Sequence, residues 1–175
     1  MAYDFRSDPV LGRAYQYWQS KCGPRTMPRR RDIEPSEIKG LLPYLQITEL
    51  IDNGARVRYR LVGTAIVRAF GSELTGKYFD EILSGERLQY AYDTYRTMCS
   101  EKRPVLACNV YFSKRETKLL CNRILMPLSE DGAVINQCLV AMTFHFPSTF
   151  ERSTDKWFVN TGTLDIAKSS FEVVR

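Results

Sequence analysis

The sequence predicts an α+β domain in which a five-stranded antiparallel sheet is interrupted by helices between its second and third strands and preceded by one further helix. Three observations carry this. Two strand-like segments, about 45–52 and 56–62, flank the hairpin signal Asp52-Asn53-Gly54. Three more, about 104–113, 117–128 and 134–146, follow one another, and the turn Ser129-Glu130-Asp131-Gly132 joins the last two. Between the two groups the apolar residues recur at helical spacing rather than alternating.

The elements can be justified in order. Asp8-Pro9 offers an N-cap carboxylate followed by proline at the first helical position. Leu11, Ala14, Trp18 and Cys22, with Tyr15 beside them, then share one helical face, and Gly23-Pro24 stops the helix. A proline-rich basic connector follows, with a short helix expected at Pro35–Leu42. In the second strand Val57, Tyr59 and Leu61 alternate with Arg56, Arg58 and Arg60, which predicts a half-buried strand with a cationic outer stripe. Thr64 is placed to cap a helix that runs to Phe70 and ends at Gly71, and Thr75-Gly76 makes a second break before Lys77–Leu83. A longer helix over 85–101 puts Leu88, Tyr92, Tyr95 and Cys99 on one face, with Ala91 and Met98 adjoining.

Length and composition fit one domain over residues 1–175: an N-terminal helix and basic connector (8–43), the sheet with its helices (about 44–146) and a C-terminal extension (147–175) whose Asp155–Asn160 stretch could dock on the sheet or hang as a tail. Hydrophobic content of 44% and charged content of 26% are those of a globular protein. No run of about 20 apolar residues suggests a membrane span, and the N-terminus lacks the apolar segment of a secretory signal. The five cysteines form no C-x-x-C pair and the chain has one histidine, so free thiols in a reducing cytoplasm are expected rather than disulfides or zinc.

A net charge of +5 is modest, but residues 21–31 hold five basic side chains, Lys21, Arg25, Arg29, Arg30 and Arg31, and no acid. Such a run can meet phosphates through charge alone, although no aromatic interleaves it to stack a base. Catalytic constellations are sparse. Asp80 and Glu81 are neighbours and so point about 100° apart on a helix, and the lone His145 has no cysteine or acid that the sequence places beside it.

Strand pair, short helices, long helix and three-stranded meander is the element order of a PAS domain, and Gly71-Ser-Glu-Leu-Thr-Gly76-Lys-Tyr-Phe-Asp-Glu-Ile82 resembles the PAS cradle with its G-x-x-x-x-G spacing. The N-terminal part, through Trp18, Pro28, Asp32-Ile33, Pro35 and Leu42-Pro43, further resembles a family of small stand-alone PAS-like proteins from alphaproteobacteria. The resemblance covers about residues 10–146 and implies that the short helices and the longer one wrap one face of the sheet as a cradle. It also bears on cofactors: Phe79 stands where a flavin photosensor needs its cysteine, and the long helix has no histidine for haem, so neither a flavin adduct nor haem is expected.

Within that likeness Tyr59, Phe70, Phe79 and Tyr95 are candidates to line the cradle, either as core or as an aromatic pocket. Asn122 and Arg123 must point to opposite faces of their strand, and comparison of the Met126-Pro127 step with flavin-binding relatives places Arg123 inward, beside Cys121 and Leu125. Its partner could be Asp80 or Glu81, solvent, or a bound anion. Tyr15 and Trp18 are candidates for a homodimer or partner contact, because strands apolar on both faces need a second cover. The reading is a non-catalytic cytoplasmic sensory or interaction module that acts on a partner protein in trans, with no output domain expected in 147–175. The alternative is a nucleic-acid or nucleotide-phosphate binder using Arg25, Arg29, Arg30 and Arg31 with Arg56, Arg58 and Arg60.

Overall fold

A computed structural model describes residues 3–112, 118–145, 163–164 and 169–175. Helix α1 (Leu11–Cys22) precedes strands β1 (Leu45–Ile51) and β2 (Arg56–Val62). Helices α2 (Thr64–Phe70), α3 (Phe79–Ile82) and α4 (Gly85–Glu101) follow, then strands β3 (Val105–Phe112), β4 (Lys118–Leu128) and β5 (Gln137–His145), and finally β6 (Thr163–Leu164) and β7 (Ser170–Val173). The sheet is antiparallel with strand order β2-β1-β5-β4-β3, and both β6 and β7 lie along the far side of β3. The five expected strands are therefore present, extended at one edge by two short C-terminal ones. The Asp155–Asn160 stretch lies outside the described residues.

The register fixes two faces. Arg123 pairs across with Ala107 and Met142, and Asn122 with Cys108 and Thr143. Because strand side chains alternate, Gln46, Tyr59, Ala107, Asn109, Tyr111, Cys121, Arg123 and Met142 share the inner face, under α2, α3 and α4. Two contacts tie α4 to this face: the hydroxyls of Thr48 and Tyr95 share a hydrogen bond of 3.0 Å, and Cys138 Sγ lies 3.4 Å from Met98 Sδ.

The outer face is covered by α1 and the connector. Asp8 supplies the expected cap, its Oδ1 accepting from the amides of Val10 and Leu11 at 2.8 and 2.9 Å. Trp18 donates from Nε1 to the Pro127 carbonyl at 3.0 Å and is only 4% exposed. Met27, Ile33, Ile38 and Leu41 of the connector are buried in the same core. This corrects the expectation that a partner contacts Trp18: the second cover that the sheet needs comes from the chain's own helix, and Trp18 is a core residue. Tyr15 is partly buried between Phe5, edge-on at 5.3 Å, and Trp18, stacked at 6.2 Å.

Several local expectations change with the geometry. Asp52–Gly54 forms a 3-10 turn closed by the Ile51–Arg56 pair, so the hairpin loop is longer than two residues. Ile47 pairs with Leu61 but Thr48 with Tyr59, which makes Arg60 the extra residue of a bulge. Val57 and Tyr59 are buried as expected, whereas Leu61, beyond the bulge, is 43% exposed. Gly63, not Thr64, is the N-cap of α2, and no side chain fits there, since a Cβ would sit 2.4 Å from the carbonyl oxygens of Leu42 and Pro43. Gly71 ends α2 in the left-handed region at φ 77°, where only glycine is unstrained. Of the expected face of α4, Tyr95, Ala91 and Met98 are buried and Leu88, Tyr92 and Cys99 partly so; Tyr90 and Thr94 are buried as well, Thr94 satisfying its hydroxyl on the Tyr90 carbonyl at 2.8 Å.

Candidate functional site: the inner cradle

The helices leave a cavity of about 20 Å³ between themselves and the inner face of the sheet. That is room for about one water molecule. Tyr59, Phe70 and Phe79 line it together with Arg123. Tyr95 belongs to the same aromatic cluster through an edge-on contact with Phe79 at 5.3 Å, but it does not line the cavity. Tyr59 and Phe79 pack at 4.8 Å. Gln46, Arg87, Tyr90 and Tyr111 also line the cavity and were not singled out by the sequence reading.

Arg87 carried a readable signal. It stands at i, i+4, i+7 and i+11 with Ala91, Thr94 and Met98, the three residues that α4 buries along that stripe. Its guanidinium carbon lies 5.6 Å from the centre of the Tyr111 ring.

Arg123 points inward, as its strand register requires. The carboxylates expected to pair with it are engaged elsewhere. Asp80 forms a two-pronged pair with Arg56, at 2.9 and 2.7 Å, and Glu81 accepts from the Tyr78 amide at 2.6 Å, capping α3. Among the described residues no acid lines the cavity, and Arg123 Nε is buried without a hydrogen-bond partner. Asn109, two residues from Tyr111 on the same face, likewise has both amide atoms buried and unpartnered. These groups contrast with the usual rule that buried polar atoms find partners.

Burial dominates the acid–base behaviour here. It pushes the Tyr111 hydroxyl up to about 12 and raises those of Tyr59 and Tyr95 further. The Cys121 thiol is likewise pushed up to about 12, and Cys138 is raised by the same cause. At neutral pH all of them are protonated, which suits packing and hydrogen bonding rather than nucleophilic attack. All five cysteines are free thiols.

The basic segment is largely turned back on the chain. Arg25 donates to the carbonyls of Lys21 and Cys22, closing the end of α1, and pairs with Asp32 at 2.7 Å. Arg29 donates to the Glu130 carbonyl and Arg30 to that of Ile33, while Arg31 is exposed. Arg58 and Arg60 both approach Glu49. Among the described residues no cluster of His, Cys, Asp and Glu could hold a metal ion, and no helix is long and apolar enough to cross a membrane.

A five-stranded antiparallel core in the order β2-β1-β5-β4-β3, roofed on one face by two short helices and one long one, is a PAS-like α+β architecture. The sequence model of the PAS domain family matches residues 6–142, and the chain belongs to that family. No curated protein matches it.

Proposed function

We propose that this chain is a non-catalytic sensory module of the cytoplasm whose cradle receives a small molecule and whose state is read by a partner protein in trans. The observation that carries the proposal is the buried Nε of Arg123, which among the described residues has no partner and lies beside a cavity that no acid lines. A cradle evolved only as core would match that charge internally or replace it with an apolar side chain. Membership of a family that commonly senses or interacts supports the reading, as do free thiols that a reducing compartment would preserve.

Binding of nucleic acid through residues 21–31 has less support, since Arg25, Arg29 and Arg30 already hold backbone carbonyls. It would show as affinity that collapses between low and physiological salt.

The test is native mass spectrometry of protein purified from its own host. A discrete mass excess that disappears on denaturation is the expected result. Protein at its bare mass, together with no partner captured by a crosslinker placed on the cradle helices, would overturn the proposal.

A further inference from the structure

Arg123 is the one cation on the inner face of β4, and its chemistry narrows what the cradle can hold. Its side chain is half-buried with Nε enclosed, and a guanidinium stays charged there, so its demand for an anion cannot be relieved by losing a proton. The neighbouring acids do not meet it, because Asp80 is clamped by Arg56 and Glu81 caps the Tyr78 amide. A second guanidinium, Arg87, lines the same cavity. The remaining walls are largely aromatic, with Tyr59, Phe70, Phe79 and Tyr111 around the charged end. Gln46 adds an amide.

We infer that the cradle binds a small organic carboxylate with a flat apolar body, its carboxylate held by Arg123 and its body laid against the aromatic walls. The inference rests on the sensory reading above and names the ligand class. The planar fork of arginine matches a carboxylate in two parallel hydrogen bonds, one of which uses the orphaned Nε. An aromatic wall favours a flat ligand over a compact inorganic anion. The cavity of about 20 Å³ is smaller than any such molecule, so occupancy displaces part of the wall. A ligand that must move the helical roof to enter changes the surface above it, which is the property a sensor needs.

The experiment titrates the intact protein and its Arg123→Met variant with sodium benzoate, sodium acetate, sodium phosphate and sodium chloride at matched ionic strength, following thermal unfolding and binding heat. Benzoate should raise the melting temperature of the wild type saturably, by about 3–6 °C at ten times its dissociation constant. Acetate should act more weakly, and the variant should bind benzoate at least tenfold less tightly. Equal responses in wild type and variant, no saturable response to either carboxylate, or phosphate or chloride matching benzoate would each overturn the inference. If Arg123→Met does not fold, the arginine Nε–H resonances of the wild type decide alone. A benzoate-dependent shift of one buried resonance supports the inference, and none overturns it. A neutral molecule found by native mass spectrometry would overturn the carboxylate assignment while leaving the sensory reading standing.

Discussion

On the outer face of the sheet the buried polar groups of the helix and its lead-in are satisfied: Trp18 donates to the Pro127 carbonyl, and the Asp8 carboxylate takes the Tyr3 hydroxyl and the amides of Val10 and Leu11. On the inner face Arg123 Nε and both amide atoms of Asn109 are buried without partners, against Gln137 Oε1 on the outer face among the described residues, and a small cavity lies beside the arginine. Both faces are carried by the same five strands, so the difference does not come from the sheet. It comes from the covers. The outer cover is one helix and a connector packed on the strands, whereas the inner cover is two short helices, separated by breaks at Gly71 and Gly76, and the long α4. The proposed sensory role implies stability concentrated on the outer side and capacity to respond on the inner.

Trp18→Ala offers the largest test of this contrast. It removes the central side chain of the outer cover together with its hydrogen bond, and should lower the unfolding free energy by about 3–5 kcal/mol in urea titrations. A loss below about 1 kcal/mol would show that the outer face is not where stability is concentrated.

Alkaline titration probes the inner face. The Tyr111 hydroxyl stands near 12 when folded, against about 10 when unfolded. Above pH 10 the unfolded chain releases that proton and the folded chain does not, so the stability present below pH 10 is lost as pH rises towards 12. The loss attributable to this residue is on the order of 2–3 kcal/mol, and unfolding curves of Tyr111→Phe between pH 9 and about 12 should be flatter by that amount.

Acid titration probes the outer face with the opposite sign. Burial alone would raise the Asp8 carboxyl, but the Tyr3 hydroxyl and the amides of Leu11 and Val10 outweigh it and hold the group below its ordinary value. Its contribution is complete above the unfolded value of about 3.9 and is lost as pH falls through the folded one. Asp8→Ala should cost about 1 kcal/mol at neutral pH and should weaken the decline in stability below about pH 4.

The smallest effect expected is from the thiols. Cys121→Ala and Cys138→Ala should each cost about 1 kcal/mol, as loss of a small buried hydrophobe. Partner binding should be unchanged in pull-downs with purified partner. Loss of binding by a folded variant would move redox chemistry into the cradle.

Much of the architecture is readable in the chain because it is written in local patterns. Alternation marked the strands, Asp8-Pro9 marked the start of α1, and Gly71 marked the end of α2. Parity along β4 was enough to set Arg123 against Asn122. What was hidden depends on contacts distant in sequence. No glycine or proline announces the bulge at Arg60, so Leu61 reads as buried when it is exposed. Helical amphipathy shows that α1 must be covered but not by which chain, which is why Trp18 suggested a partner. The isolation of Arg123 was illegible because it follows from Asp80 meeting Arg56 across from β2, a pairing with no trace in spacing. Arg87 was missed because a cation beside Glu86 reads as surface until the buried stripe through Thr94 is known.

The margins of the sheet have a consequence of their own. Along β2, Tyr59 donates to the Lys77 carbonyl at 2.9 Å and accepts from the Gly76 amide at 2.7 Å, so the stretch before α3 occupies that rim. Along β3, β7 pairs from Val105 to Cys108 and β6 meets Tyr111 and Phe112, with the Val110 amide held by the Ser169 hydroxyl between them. The β2 rim is thus covered at Arg58 and Tyr59, and the β3 rim is moved outward to the two short strands β6 and β7. Open rims are where sheets recruit foreign strands and grow into fibrils. A covered rim on one side and two short edge strands on the other leave little backbone for such recruitment, so contacts with other molecules are expected through side chains rather than through strand addition.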